Sequence, residues 1–521
     1  TMPKQKTDDL LRLIASLNRA EKRHFRLFVK RNQQAANDIL FLQLFDYLEK
    51  QDDYDEEHLM KRIKGIKKSQ LSNLKAHLYK QLLTSLRLLN RNKDEEILLR
   101  ENIDYARILY NKGLYRQALD ILEKVKRRAY DNEFHTVALE IAQFEKLIEG
   151  QYITRSIGGR AASLSRECSD LTKKIEATEK FSNLSLQLYG YYLETGMVKS
   201  DQDVRAVNAL FTSLLPENDF ESLSFWGKIY YCQSYIWRHH ICQEFPLVYR
   251  YSQRILDLFR AKPRMIQLNA ALYLKGMHTH LGNLFNMWQY DKFKAELDQL
   301  LAFPDTYDFS SDANAEGLWQ LYRFNHAIQL HYMEGTFTEG LDMVPELMKA
   351  IEEDRYNWDN YRKLLFYYRI ACLYFGSGDN DTAIDYLNLI INQRSQNYRS
   401  DIQAYARILS LICHFEMGNV QLVEYQVKSV YRYLAKVEYL QETQQRIFRF
   451  LRRIPRIRED QLRDEFIKLK EQLDEVARKP YERRPFTYLD IPSWLESKIE
   501  GKSVQGVIRE KFLAEQAMEV E

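Results

Sequence analysis

Glycine and proline are scarce, at 18 and 10 in 521 residues, about 5% together against roughly 12% in ordinary chains. So few turn formers exclude collagen and argue against a β-sandwich or barrel, whose many short strands must each be turned. Disorder is excluded as well, because 45% of the residues are hydrophobic. Cysteine is rare too. Cys168, Cys232, Cys242, Cys372 and Cys413 are odd in number and widely spaced, with no C-x-x-C. Neither a disulfide framework nor a thiolate zinc site is expected, and a reducing cytoplasm fits. Long hydrophobic runs are missing: the first thirty residues hold no signal-peptide core. The most apolar stretch, Leu364 to Phe375, is broken by Arg369 and falls well short of the roughly 20 residues that span a bilayer. A soluble cytoplasmic protein without membrane association is expected.

Signatures of catalysis are equally thin. No H-E-x-x-H occurs; His278 and His280 are two apart, His239 and His240 adjacent, and His326 and His331 five apart, all poor chelates on a helix. Gly501-Lys502-Ser503 has the ending of a phosphate-binding loop, but Glu496 stands where its first glycine would be and no strand precedes it. Neither G-x-G-x-x-G nor G-x-S-x-G is present. The expectation is a non-enzyme without cofactor or metal.

What is abundant is Leu, Lys, Glu, Arg and Tyr, which predicts long helices with short connections and an all-α fold. The net charge of +3 is unevenly spread: residues 1 to 93 carry +9, residues 94 to 445 carry −8 and residues 446 to 521 carry +2. Three regions are expected on these lines: a basic helical head (1–93), a helical middle (94–445) and a C-terminal segment (446–521). In the head, Asn18 and Glu21 have capping-box spacing. A second helix follows from Asp38, and a longer one from about Ser69 carries Leu71, Leu74, Leu78, Leu82, Leu86 and Leu89 at three- and four-residue steps.

From Glu95 onward one phrase recurs: a helix, a Gly two residues before an aromatic, a small residue three later, then apolar positions four and seven beyond. The clearest copy is Ala106, Tyr110, Gly113, Tyr115, Ala118, Leu119, Leu122 and Val125. A second runs from Ala371 through Gly378, Ala383 and Leu387, with Asn380 in the aromatic place; a third is Gly335, Phe337, Gly340, Val344 and Leu347. Weaker copies centre on Gly418, Trp288 and Gln243, the last two without glycine. This phrase resembles the tetratricopeptide repeat over roughly residues 95 to 435, with spacings of 45, 47, 43 and 40 residues from 243 to 418 in place of about 34. Residues 150 to 225, including the loop Ser156 to Gly159, fit it loosely.

The resemblance implies a right-handed α-solenoid of paired helices whose first helices line a concave groove. Carried over by offset from each turn, the lining comprises Ile103, Arg107, Tyr110 and Asn111; Gln233, Trp237 and His240; His278, Phe285 and Asn286; and Asn325, Gln329 and Tyr332. Such an aromatic and amide-rich surface suits a protein or peptide ligand, because Tyr and Trp give large contact area and amides satisfy extended backbone. The alternative is that these aromatics only pack helix against helix. The family's lysine clamp for an acidic C-terminus is not expected, since the places ten before the turn hold Ile103, Gln233, His278, Asn325, Tyr368 and Ile408. A non-enzymatic scaffold or adaptor is thus the leading expectation.

The basic head carries the second expectation. Aligned as a helix-turn-helix with Gly65 at the turn, Met60, Ile66, Leu71 and Leu74 fall at apolar positions, leaving Gln70, Ser72, Asn73 and His77 outward beside Lys67 and Lys68. Lys61 and Lys64 depart from that pattern. A DNA-binding head joined to repeats would resemble peptide-sensing regulators. At the other end, Arg446 to Arg458 holds six arginines and no acid. Arg446, Arg449 and Arg453 form a stripe opposite Ile447, Phe450, Leu451 and Ile454. The stripe meets acidic groups of this chain, for example around Glu471, Asp474 and Glu475, or an anionic ligand such as RNA or an acidic protein. Beyond it, Pro480, Pro485 and Pro492 break the helix, and Phe486, Tyr488, Leu489, Ile491 and Trp494 are expected to pack back on the body or on a partner.

Overall fold

Helix starts are written locally. Asn18 Oδ1 accepts from the Glu21 amide at 2.9 Å while Glu21 Oε2 accepts from the Asn18 amide at 2.8 Å, so the capping box is closed in both directions. Asp55, Asp94, Ser200, Ser224, Asp359 and Asp490 also accept amides at the first turns of their helices. The computed structural model describes residues 9–31, 36–51, 54–63, 68–151, 159–393, 400–436, 442–479, 481 and 490–520. Among them the chain is all-α, with no strand, and no helix is long and apolar enough to cross a membrane.

Two compact units divide the chain, Thr1–Leu171 and Thr172–Glu521. Neither ends at the charge boundaries near 93 and 445. Unit 1 holds α1 (Asp9–Ser16), α2 (Arg19–Arg31), α3 (Ala36–Leu48), α4 (Glu56–Arg62) and α5 (Lys68–Asn90), which share a core of Leu10, Ile14, Phe25, Phe45, Leu78 and Leu82. It also holds α6 (Glu95–Asn111), α7 (Tyr115–Asp131), α8 (His135–Glu149) and the start of α9 (Arg160–Thr195). Ala106 and Ala118 are both fully buried there, as close helix approach requires.

Unit 2 continues with α10 (Asp201–Leu214), α11 (Phe225–Ile241), α12 (Phe245–Ala261), α13 (Pro263–Leu268), α14 (Ala270–Asn286), α15 (Tyr290–Leu301) and α16 (Ala313–Glu334). Then come α17 (Phe337–Gly340), α18 (Val344–Glu352), α19 (Asn360–Ser377), α20 (Asn380–Ile391), α21 (Ser400–Glu416), α22 (Val420–Lys436), α23 (Glu442–Arg453) and α24 (Leu462–Ala477). The chain ends in α25 (Ile491–Glu500) and α26 (Val504–Val520). Helices pack on near neighbours in the chain: α11 on α12, α12 on α14, α14 on α15 and α16, α19 on α20, α20 on α21, α21 on α22.

The turns repeat one geometry. Gly113, Gln243, Trp288, Gly335, Gly378 and Gly418 all have left-handed backbone, with φ of 73°, 60°, 52°, 66°, 96° and 76°. In each, the next residue's amide reaches back to the carbonyl five before it: Leu114 to Leu109, Glu244 to His239, Gln289 to Leu284, Thr336 to His331, Asp379 to Tyr374 and Asn419 to His414. Gln243 and Trp288 adopt this conformation despite a Cβ, at a cost of about 1–2 kcal/mol each. Glu133, at φ 59° with Phe134 bonded back to Ala129, makes the same turn without any glycine to announce it.

Gly335 has a second reason to lack a side chain. A Cβ there would lie 2.5 Å from the Arg509 amide nitrogen, because α26 crosses this turn. The crossing is polar and aromatic: Arg509 donates to the Glu334 carbonyl at 3.1 Å, Thr338 Oγ1 to Gln505 at 2.9 Å, and the Tyr290 and Phe512 rings lie 4.7 Å apart. Trp494 of α25 is buried to 1% exposure and donates to Glu416 at 2.7 Å, which Lys498 also pairs. The end of the chain thus packs back on unit 2. Of the residues expected to do so, Phe486, Tyr488 and Leu489 lie outside the described residues, as do the expected helix breakers Pro480 and Pro485.

Candidate functional site

Consecutive long helices α14, α16 and α19 bring one polar cluster together. Lys275 and His278 sit one turn apart on α14, Tyr322, Asn325, His326 and Gln329 share a face of α16, and Arg362 and Arg369 lie two turns apart on α19. The His278 ring stacks on Tyr322, with centroids 4.2 Å apart and planes 8° apart. His278 Nδ1 lies 2.8 Å from His326 Nε2, and His326 Nδ1 lies 2.6 Å from Gln329 Oε1. The same His326 Nδ1 lies 3.3 Å from Asn325 Nδ2, so the ring is held between two amides of its own helix and the His278 ring. The two imidazoles form a hydrogen-bonded pair.

The electrostatics keep them neutral. Burial is the main cause that lowers His278 to about 3, and Arg369, Arg362 and Lys275 push the same way. His326 is held well below its ordinary value, again chiefly by burial. The Arg369 guanidinium donates to the Asn325 carbonyl at 2.9 Å, and Tyr332 donates to the Arg369 carbonyl at 2.7 Å. Arg362 pairs with Asp359 at the start of its own helix, at 3.5 Å. Lys275 is exposed, yet burial lowers its pKa and Arg362 lowers it further.

An aromatic patch adjoins this cluster. Trp237 on α11 packs 4.9 Å from Tyr189 and 5.4 Å from Tyr192 on α9, and the Tyr192 ring lies 5.3 Å from His240. Burial lifts the Tyr322 hydroxyl to about 12, and Tyr189 adds to that rise. Leu186, Tyr189 and Leu193, at helical spacing on α9, are exposed beside it.

The expected lining residues therefore occupy different environments. Gln233, Trp237, His240, His278, Asn286 and Tyr332 are half-buried, while Phe285, Asn325 and Gln329 are buried. The expectation of open amides at Asn325 and Gln329 is corrected: each is 6% exposed, because they face His326 rather than solvent. Tyr332 is held by Arg369 and stacks on Phe337 at 5.5 Å, a packing role. In unit 1, Arg107 lies 3.8 Å over the Phe144 ring, Tyr110 donates to Gln151 at 3.1 Å, and Asn111 is exposed while Ile103 is buried.

Of the candidate anion-binding residues, Lys68, Gln70 and Asn73 are exposed at the start of α5, Lys68 pairing with Glu56 at 3.4 Å; Lys67 and the Gly65 turn lie outside the described residues. Arg446 pairs with Glu442 at 2.6 Å and Arg453 with Glu465 of α24 at 2.9 Å, whereas Arg449 is exposed. Ile447, Phe450, Leu451 and Ile454 are buried on the other side. Lys275, Tyr322, Arg362 and Arg369 were not singled out by sequence reasoning. The available signal was that Lys275 precedes His278 by three and thus shares its face. No family model, curated protein or solved structure matches this chain.

Proposed function

We propose that this chain is a non-enzymatic helical-repeat scaffold, with unit 2 a tetratricopeptide-like α-solenoid that binds a protein or peptide segment along its first helices. The recurrent left-handed turn at 243, 288, 335, 378 and 418 supports the repeat reading, as does the packing of helices on chain neighbours. The observation that carries the binding reading is that Trp237 and His278 are half-buried and Tyr189 is exposed on α11, α14 and α9, rather than all sealed in the core. Large aromatic groups and hydrogen-bonding groups stay within reach of a ligand there, held rigid by stacking. The test is selection of peptides from a random displayed library on the full-length protein. Enriched peptides should lose about tenfold or more in affinity on Trp237→Ala, with Tyr425→Ala, an exposed aromatic outside the expected lining, as the unaffected control. A library with no enriched sequence, or enriched sequences indifferent to Trp237→Ala, would overturn the reading.

A peptide-regulated DNA-binding protein is the second reading. Gln70, Asn73 and His77 are exposed at steps of three and four on α5, a side-chain set that can read base edges. Selection from a random duplex library, lost on Asn73→Ala, would favour it.

A further inference from the structure

The last two helices of the chain are held in unequal ways. In α25, Ile491, Trp494 and Leu495 are buried to 4% exposure or less, and Trp494 and Lys498 both bond Glu416. Among the described side chains of α26 only Val507 and Ile508 are buried, while Leu513 and Met518 are 51% and 71% exposed. Each helix also has its own ending. Gly501, left-handed at φ 69°, closes α25, and Ser503 Oγ accepts from the Gly506 amide at 3.1 Å to open α26. The final helix is thus a separate element laid on the body.

Its contacts follow one helical face. Gln505 Oε1 accepts from the Thr338 hydroxyl at 2.9 Å, and Ile508 joins the main hydrophobic core of unit 2. Arg509 donates to the Glu334 carbonyl at 3.1 Å, and the Phe512 ring meets Tyr290 edge-on at 4.7 Å. Positions 505, 508, 509 and 512 are i, i+3, i+4 and i+7, the spacing by which a helix docked in a groove places its anchors. The receiving surface is matched to a helix. Glu334 ends α16, so its carbonyl has no partner within that helix, and a Cβ on Gly335 would lie 2.5 Å from the Arg509 amide nitrogen. We propose that the surface of Tyr290, Glu334, Gly335 and Thr338 is a docking seat for an amphipathic partner helix with Gln, Ile, Arg and Phe at those four spacings. The resident α26 is then a strap that closes the seat until it is displaced. This seat lies at the repeat turns, so it stands independently of peptide binding at Trp237. Only Lys502 and Ser503 separate Gly501 from α26, which gives the strap an effective concentration of about a millimolar or more. A free helix competes only when the strap is weakened. Displacement also breaks the pair of Lys511 with Glu496 of α25, at 2.5 Å.

The test measures binding of a labelled synthetic peptide of residues 503–520 to the full-length protein by fluorescence anisotropy. Arg509→Glu and, separately, Ile508→Asp in the protein weaken the strap, and hydrogen exchange reports its release. Exchange of α26 should accelerate at least about tenfold in both variants while α16 and α25 stay protected. The peptide should bind each variant at least about tenfold more tightly than it binds wild type. Phe512→Ala in the peptide should weaken that binding about tenfold, and Thr338→Ala added to the Arg509→Glu protein about fivefold. Protection of α26 unchanged in both variants, or protection lost throughout unit 2 in both, would show that α26 belongs to the core and would overturn the seat. So would a released strap with no peptide binding, or binding indifferent to both Phe512→Ala and Thr338→Ala. A wild-type dimer seen by light scattering and lost on Arg509→Glu would replace the partner with the α26 of a second copy and overturn the assignment of the occupant.

Discussion

Each unit buries a polar cluster between helices, and the two are built on opposite rules. In unit 1, Lys126 pairs with Glu145 of α8 and, at 3.0 Å, with Glu167 of α9; Arg160 reaches Glu145 at 3.4 Å and Tyr130 donates to Glu167 at 2.8 Å. Two cations meet three carboxylates, since Arg160 also lies 3.7 Å from Glu149; Glu145 is 1% exposed, and each charge meets an opposite one inside the cluster. In unit 2 the buried members are neutral, an imidazole pair bonded to an amide, and no carboxylate lies among them. One cluster is held by paired charges and the other by hydrogen bonds between neutral groups.

The largest expected effect breaks the closed cluster. Lys126→Met leaves Glu145 buried beside Arg160 alone and should destabilise unit 1 by about 3 kcal/mol in urea unfolding, with Glu145→Leu added to it recovering most of the loss. A cost near zero would show that the network is not closed as described. Next is the neutral cluster: His326→Leu removes the partner of both His278 and Gln329 and should cost about 1–3 kcal/mol, read as lost hydrogen-exchange protection in α14 and α16.

Acidity separates the clusters by sign. An unfolded histidine titrates at about 6.5, whereas burial holds His278 at about 3 and His280 at about 4. Between those values the unfolded chain binds more protons, so the stability of unit 2 rises with pH up to about 6.5 and is lost progressively on acidification. Burial raises the Glu145 carboxyl, so in its window the folded state binds the extra proton and stability declines as pH rises. Exchange at pH 5 and pH 7, corrected for intrinsic rate, should show protection of α14 and α16 falling at the lower pH while that of α7 and α8 does not. The smallest effect is Lys275→Gln, expected within about 0.5 kcal/mol of wild type or slightly stabilising, because it removes a charge beside Arg362. A large loss of stability there would mean that Lys275 serves the fold, and the contrast between the clusters would disappear.

Much of the local architecture was legible in the chain itself. The scarcity of glycine and proline, the leucine periodicity from Ser69 and the Asn18–Glu21 box depend on residues within a few positions of each other, and helices are made of such short-range terms. The turn phrase worked for the same reason, marking the left-handed residue even at Gln243 and Trp288, where glycine is absent. At Glu133 it failed, since neither glycine nor a spaced aromatic was there to read. Offsets from the turn located the faces of the first helices but not which residues on them stay open. Asn325 and Gln329 lie at lining offsets and are buried because a histidine from the same helix turns them inward.

The partnership of His278 with His326 spans 48 residues, and Lys275, Arg362 and Arg369 come from helices separated by all of α15 to α18. No window of sequence contains them, and the net charge of the middle region, −8, points the other way. The residue types thus set the helices, their caps and their turns. Only the packing of α14 on α16 decided that two imidazoles are buried together and held neutral, because charge and burial there are properties of the neighbours a side chain acquires on folding.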